Sequence, residues 1–355
     1  MRYLLNKLGY ALLTIFGVVT VIFFLFNILP GDPAKMMLGQ NQKEDQLKLV
    51  RQKYGFDQPV FKQYLYYLND LSPLSFHATD EDSYTSVSKY DATKILTIGQ
   101  TVMVLKAPYL RQSFTKQGKY VSEIIGETLP NTFVLAISSI MIAVIIGIIF
   151  GIISAIKKDS WLDRFIQVFS TFGMSVPSFF SAILFAWLFG FVLHKYTHLE
   201  MTGSLYELDD YGEAMQLKLK NLILPAIVLG IRPLAVIIQL MRNSLLEVMN
   251  QDYIRTAKAK GLSTFQVIKN HALKNALNPV VTAISGWFAS MLAGAVFVEY
   301  IFGWNGLGKE IVNALNTQDL PVIMGAVLVI ALCFIFLNIL VDVIYARLDP
   351  RVKLN

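Results

Sequence analysis

Cysteine occurs once in these 355 residues, at Cys333, so the chain can form no internal disulfide and no cysteine-built metal site. Histidine is nearly as scarce, with only His77, His194, His198 and His271. His194 and His198 have the i, i+4 spacing of two ligands on one helix face, yet no glutamate stands between them as a His-Glu-x-x-His zinc motif requires. Two exposed loop histidines are the simpler expectation, and no metal site is expected. Charge is short as well. Asp, Glu, Lys and Arg make up 16% of the chain, against about 25% in soluble domains. Hydrophobic residues make up 54% and the mean hydropathy is +0.51, a composition that belongs in lipid rather than in water.

Long apolar runs take the place of charge. Uncharged stretches cover Leu8 to Gly31, Thr128 to Ile156, Phe165 to His194, Asn275 to Val298 and Leu320 to Val341, and Asn221 to Met241 is interrupted only by Arg232. Each can cross a hydrocarbon core of about 30 Å, which takes roughly 20 helical residues. The expected fold is therefore an all-α polytopic membrane protein of six transmembrane helices, with both termini on one side. The first run is too long for a signal peptide and leads into Leu29-Pro30-Gly31-Asp32-Pro33 without a small-x-small cleavage site, so a retained anchor is expected.

Orientation follows from Lys and Arg in the short loops. Arg2, Lys7, Lys157, Lys158, Arg164, the cluster from Arg242 to Lys274, Arg347, Arg351 and Lys353 all fall on the face that carries the termini. The opposite short loops hold Lys195, Lys218, Lys220 and Lys309. The termini are thus expected in the cytoplasm, and the net charge of +6 records this bias rather than nucleic-acid binding. The expected layout is an anchor at 1–31, an extracytoplasmic segment at 32–127 with a mixed insertion near 71–120, a core of five transmembrane helices at 128–346 containing a cytoplasmic loop at 242–278, and a tail at 347–355. The insertion joins acidic Asp80-Glu81-Asp82 to the β-favouring run Thr101-Val102-Met103-Val104-Leu105, bounded by Pro108 and Gly118.

The loop at 242–278 is the most patterned polar stretch. Leu245 to Lys260 is rich in helix formers, Gly261 suits the left-handed residue after a helix end, and Ser263 with Gln266 has capping-box spacing. A helical hairpin is expected. Within the membrane, Arg232, Gln239 and Asn243 recur at intervals that place them near one helix face. A midspan arginine costs about 2.5 to 3.5 kcal/mol on insertion scales unless it faces water or a partner, so these three are candidate lining of a translocation path. Two alternatives for Arg232 are satisfaction of carbonyls freed by a helix break at Pro233, and pairing with Asp342. Two rows of small residues, Ala143, Gly147, Gly151, Ala155 and then Gly286, Ser290, Gly294, predict close helix packing. Pro177 predicts a kink near Ser175-Val176. Gly303-Trp304-Asn305-Gly306-Leu307-Gly308-Lys309 fits the start of a phosphate-binding loop, but Glu310 stands where Ser or Thr should hold magnesium, so no nucleotide site is expected there.

The run Arg255-Thr256-Ala257-Lys258-Ala259-Lys260-Gly261 followed by His271-Ala272-Leu273 resembles the cytoplasmic coupling loop of ATP-binding-cassette importer permeases. That family pattern is Glu-Ala-Ala, three residues, Gly, nine residues, Ile-x-Leu-Pro. Here Arg255 and Thr256 replace the acid and first Ala, His271 replaces the Ile and Lys274 the Pro, as in the oligopeptide and dipeptide branch. Leu29-Pro30-Gly31-Asp32-Pro33, Tyr54-Gly55-Phe56-Asp57-Gln58-Pro59, Gln63-Tyr64, Glu299 to Gly308, Asp319-Leu320-Pro321, Asn338 with Asp342, and Asp349-Pro350-Arg351 extend the resemblance over nearly the whole chain except about 71–120. Asn305 replaces a proline usual in that family.

The resemblance implies a permease subunit of an ATP-driven peptide importer in a bacterial plasma (inner) membrane. Its partners would be a second related permease, two cytoplasmic ATP-binding subunits, an extracytoplasmic substrate-binding protein and membrane lipid, with no nucleic acid and no cofactor. Arg255, Thr256, Ala257, Gly261, Ser263, His271 and Leu273 would couple it to the ATPases. Nickel and other small-solute importers share this permease type and remain alternatives for the substrate. A membrane enzyme would need reacting groups at membrane depth, where only Arg232 and, at an edge, Asp342 qualify, so no catalytic residue is expected. An ion-driven transporter would need midplane acids and an inverted repeat, neither of which is visible.

Overall fold

In lipid a backbone must satisfy its own hydrogen bonds, and the apolar runs do so as helices. The computed structural model describes residues 2–28, 33–38, 43–81, 83–209 and 211–348. The motifs at Leu29 to Asp32 and Asp349 to Arg351, and the side chain of Asp342, lie outside the described residues. Four helices are long and apolar enough to span a bilayer, within Gly9–Asn27, Val121–Ile156, Lys220–Val248 and Leu320–Val341. Two bent pairs, Trp161–Ser175 with Ser178–Val192 and Thr264–Ala276 with Asn278–Gly294, bring the spans to six if each pair is one.

The bends correct two sequence expectations. Pro177 does not merely kink the third run. It ends one helix and starts another, with the axes 108° apart, because the residue before a proline is pushed out of the helical region and Val176 takes φ −81°, ψ 131°. Around Pro233, by contrast, no break occurs. The helix Lys220–Val248 runs unbroken through both Pro225 and Pro233. The fifth run starts with a 51° bend at Leu277, just before Pro279 in the first turn of the next helix.

The chain divides into two compact units. In the first, 1–127 with 311–332, Phe23 and Val19 of the first span pack with Tyr64 and Tyr67 of the helix Val60–Leu71 and with Met324 and Leu328 of the last. Residues 71–120 contain a three-stranded antiparallel sheet of β1 (Leu74–Ala78), β2 (Ala92–Ile98) and β3 (Thr101–Lys106), in the order β1-β3-β2. Alternation sets its faces: Ser75, His77, Val102, Val104 and Lys106 turn inward, and Phe76, Leu96, Ile98 and Leu105 outward. Beneath the inner face Asp70 is buried, accepting the Tyr90 hydroxyl at 2.7 Å, Arg111 Nε at 2.9 Å and the Tyr84 hydroxyl at 3.3 Å. His77 lies there too, between the Ser75 hydroxyl and the Thr85 carbonyl, and burial holds its pKa below the usual value. Asp319, which precedes the last span, is buried and accepts the amides of Phe114 and Thr115 at 3.1 Å and the hydroxyls of Ser113 and Thr115.

The second unit, 128–310 with 333–355, is the helical bundle. Gly147 and Gly151 let the second span approach the Lys220–Val248 helix so closely that a side-chain carbon at either would strike Ile237 or Met241. The first row of small residues therefore packs as expected. The second does not: a side-chain carbon at Gly286 or Gly294 would meet nothing within 4 Å, and Gly286, Ser290 and Gly294 are all exposed. A short hairpin of β4 (Tyr206–Leu208) and β5 (Met215–Leu217) joins the third and fourth spans.

Candidate coupling hairpin and path-lining face

The hairpin is built from an interrupted helix. The helix-forming stretch from Leu245 to Lys260 is interrupted after Val248 and resumes over Asp252–Ala259, because Met249, Asn250 and Gln251 close a turn. Gly261 follows at φ +80°, a left-handed conformation that glycine enters without steric cost. Ser263 then caps Thr264–Val267 through both capping-box bonds, Ser263 N to Gln266 Oε1 at 3.0 Å and Gln266 N to Ser263 Oγ at 3.4 Å. A π-helical turn over Ile268–Ala272 and the helix Leu273–Ala276 return the chain to the membrane. Tyr253 and Asn275 brace the two arms at 2.8 Å.

This hairpin has two faces. Ile254, Ala257, Val267, Ile268, Ala272 and Ala276 are buried in one cluster with Ile237, Met241 and Leu245 of the Lys220–Val248 helix. Arg255, Thr256, Gly261, Ser263 and His271 are exposed. Of the seven candidate coupling residues, Ala257 and Leu273 therefore belong to the packed face and the other five to the open one. Sequence reasoning missed Phe265, which stands 72% exposed beside the capped turn. Its signal was an aromatic residue between two polar ones, Thr264 and Gln266, at the start of a capped helix.

Arg232 sits near the middle of the Lys220–Val248 helix, is exposed, and has no hydrogen bond or ion pair among the described residues. It lines a cavity of about 80 Å³ with Gly173, Ser178, Ser181, Trp287 and Ser290. Gln239 and Asn243 lie on the same continuous helix but do not line this cavity; Gln239 is half-buried and Asn243 is exposed, 3.4 Å from Arg242. The open row Gly286, Ser290, Gly294 borders the same space through Ser290 and Gly294.

The loop that mimics a phosphate-binding motif holds a carboxylate from its own chain. Glu299 Oε2 accepts the amide of Gly308 at 2.7 Å and that of Lys309 at 3.2 Å, at the start of the helix Leu307–Thr317. A side chain at Gly306 would collide with this carboxylate. Lys309 turns back to the Gly303 carbonyl and Asn305, and Trp304 is buried with its Nε1 donating to the Asn131 carbonyl at 3.0 Å. Burial pushes the Glu299 carboxyl up to about 7 against the pull of the Thr132 hydroxyl and the two amides, and Oε1 has no hydrogen-bond partner among the described residues.

Residues 147–354 match the family described as binding-protein-dependent transport system inner membrane component, and residues 1–83 match that family's N-terminal membrane component. The chain belongs to this family of transport permeases. A putative peptide permease of Brucella suis is 35% identical over 100% of both chains. The dipeptide transport permease of Bacillus subtilis is 31% identical, covering 100% of this chain and 98% of its own. A chain from an inward-facing structure of the MetNI methionine ABC transporter superposes with a TM-score of 0.51 at 16% identity, covering 64% of this chain and 97% of that one. That likeness concerns the fold alone. The family is one of multi-pass membrane permeases rather than enzymes. In this chain the glycine-rich loop after Val298 serves as an internal helix cap, with Glu299 on the amides of Gly308 and Lys309.

Proposed function

We propose that this chain is one permease subunit of an ATP-driven, binding-protein-dependent importer of peptides, set in the bacterial inner membrane with both termini cytoplasmic. A second related permease would complete the path, two cytoplasmic ATP-binding subunits would drive it, and an extracytoplasmic binding protein would deliver substrate to the side that carries residues 32–127. The peptide assignment rests on relatives named as peptide and dipeptide permeases at 35% and 31% identity over the full chain.

The observation that carries the coupling role is the two-faced hairpin. Its apolar side is locked to Met241 and Leu245, and its open side presents Arg255, Phe265 and His271. An ATPase gripping the open side would move the packed side with it, since a close-packed interface shifts as a body. The Lys220–Val248 helix continues from there to Arg232 without a break, so a displacement at Leu245 reaches the path. Arg232, Gln239 and Asn243 are the proposed lining, and Arg232 would meet water or the second permease there, because a midspan arginine with neither is costly.

The test is uptake in proteoliposomes holding the four-subunit complex and its binding protein. ATP-dependent uptake of a dipeptide, with loss of ATPase co-purification in Phe265→Ala, is the expected result. Uptake of nickel in place of peptide would overturn the substrate, and an ATPase that binds the Phe265 variant as tightly as the parent would overturn the interface.

A further inference from the structure

We propose that the module between the first two spans carries a ligand site of its own, for an aromatic ring that bears a carboxylate. The site is a cavity of about 290 Å³ whose walls include Tyr54, Phe56, Tyr109, Phe114, Lys89 and Arg111. Its size is near the lower end for pockets that enclose small molecules, and aromatic walls with a few placed polar groups are the usual lining of such pockets.

The charge balance selects an anion. Asp70, the acid beneath the cavity, is buried and already takes two tyrosine hydroxyls and Arg111 Nε. Two cations meet it: Arg111 pairs with its carboxylate and Lys106 donates to its carbonyl oxygen. Lys89 stands in the cavity wall, its Nζ on the carbonyl of Tyr84 at 2.8 Å. Among the described residues, no acid lines the cavity. Arg111 is left with its Nη nitrogens unused, since Nε to Asp70 is its one hydrogen bond among the described residues. A guanidinium edge of this kind matches the two oxygens of a carboxylate. Its backbone, at φ +69° and with its carbonyl held by the Val121 amide at 3.1 Å, fixes the direction from which the side chain enters.

The aromatic walls reject a cation and favour a ring. Lys89 lies 4.9 Å from the Tyr84 ring centre, Lys106 5.2 Å from that of Tyr90, and the Arg111 guanidinium 5.1 Å from that of Tyr67. These ring faces already hold resident charges, so an incoming ammonium would meet like charge, whereas a neutral ring can stack or meet edge to face against Tyr54, Phe56 and Phe114. Two sources carry this chemistry, the C-terminal aromatic residue of a peptide and a free aromatic acid. The choice of a peptide as the natural source rests on the permease reading above; binding itself does not.

The test uses the full chain in nanodiscs without any ATPase, titrated calorimetrically with N-acetyl-phenylalanine, its C-terminal amide, N-acetyl-alanine, the tripeptide Ala-Ala-Phe and phenylpropionate. The two phenylalanine acids should bind, and the amide and the alanine compound should bind at least about tenfold more weakly, a difference of about 1.4 kcal/mol. Tripeptide binding at least as tight as that of phenylpropionate identifies a peptide terminus, and the reverse order a free acid. Arg111→Ala would also orphan Asp70, so Lys89→Gln, which leaves the Asp70 hydrogen bonds in place, is the deciding variant and should weaken the acids severalfold while leaving the amide unchanged. Equal affinity for acid and amide, no binding of any probe, or an unaltered Lys89→Gln titration would overturn the site and leave the transport reading standing.

Discussion

Arg242 grips Asp163 through two nitrogens, Nε on Oδ1 at 2.8 Å and Nη2 on Oδ2 at 2.6 Å. The same carboxylate accepts the Asp159 amide at 2.9 Å and the Ser154 hydroxyl. It thus ties the end of the second span, the turn after it and the Lys220–Val248 helix together, six residues before that helix hands over to the hairpin. Asp163 is almost wholly buried and Arg242 largely so. Removing one partner of a buried pair costs roughly 3 to 5 kcal/mol, because the other charge is stranded. Asp163→Ala and Arg242→Ala should each lower the thermal unfolding temperature of the detergent-solubilised chain, and the double variant should be less destabilised than the sum. Additive losses would mean that the two residues act independently.

Arg232 is exposed and unpaired among the described residues, in a cavity whose otherwise mostly apolar lining includes Ser178, Ser181 and Ser290. In Arg232→Ala the complex should assemble and the uptake of acidic relative to basic peptides should shift by severalfold, since the path loses its positive charge. The check is competitive uptake of the two peptide classes. An unchanged ratio at the parental rate removes Arg232 from the path.

Glu299 gives the loop at Gly303 to Lys309 a pH dependence with a defined sign. Its carboxyl is raised to about 7 in the folded chain from an ordinary 4.5, chiefly by burial. A raised acid binds a proton more tightly folded than unfolded, so its contribution is fully present below about 4.5 and is lost as pH rises through about 7. The full difference is on the order of 3 kcal/mol. Amides of residues 303–310 should exchange faster at pH 8 than at pH 5.5 beyond the intrinsic base-catalysed increase, and Glu299→Gln should abolish that excess. A Gln variant that keeps the same excess assigns the effect to another group.

Much of this was legible beforehand because it is local. Gly261 with Ser263 and Gln266 specifies a turn and a cap within six residues, and the structure has both. Apolar runs located the helices for the same reason. Tertiary facts were not legible. Pro177 announces a disturbance and gives a 108° bend, yet Pro233 announces the same and its helix runs on unbroken, so the residue type alone does not set the outcome. The two small-residue rows read alike, yet one meets Ile237 and Met241 and the other meets nothing. Asp163 and Arg242 stand 79 residues apart, and no period links them. Gly303 to Lys309 follows a phosphate-loop pattern that Glu310 already speaks against, but no sequence signal showed that the Glu299 carboxylate would take the Gly308 amide.

The module at 71–120 depends on Asp70. Asp70→Ala strands Arg111 and two tyrosine hydroxyls in a buried site, at a cost of roughly 3 kcal/mol or more. If this module is where a binding protein docks, the variant should weaken docking severalfold in surface plasmon resonance while basal ATP hydrolysis by the membrane complex persists. Unchanged docking with a module shown to be loosened by proteolysis would place the docking surface elsewhere.

Whether the hairpin transmits work turns on Gly261. At φ +80° a β-branched side chain is strained by about 1 kcal/mol or more, although the space around it is open, so Gly261→Val misdirects the turn without filling a cavity. The measurement is ATP hydrolysed per peptide imported, in proteoliposomes carrying the full complex. The valine variant should insert and assemble with its partner permease, but its substrate-stimulated hydrolysis and uptake should fall severalfold. Gly261→Asn, which enters the left-handed region more easily, should retain most of both. A valine variant that hydrolyses and imports with the parental ratio and rate would mean that the hairpin carries no mechanical load.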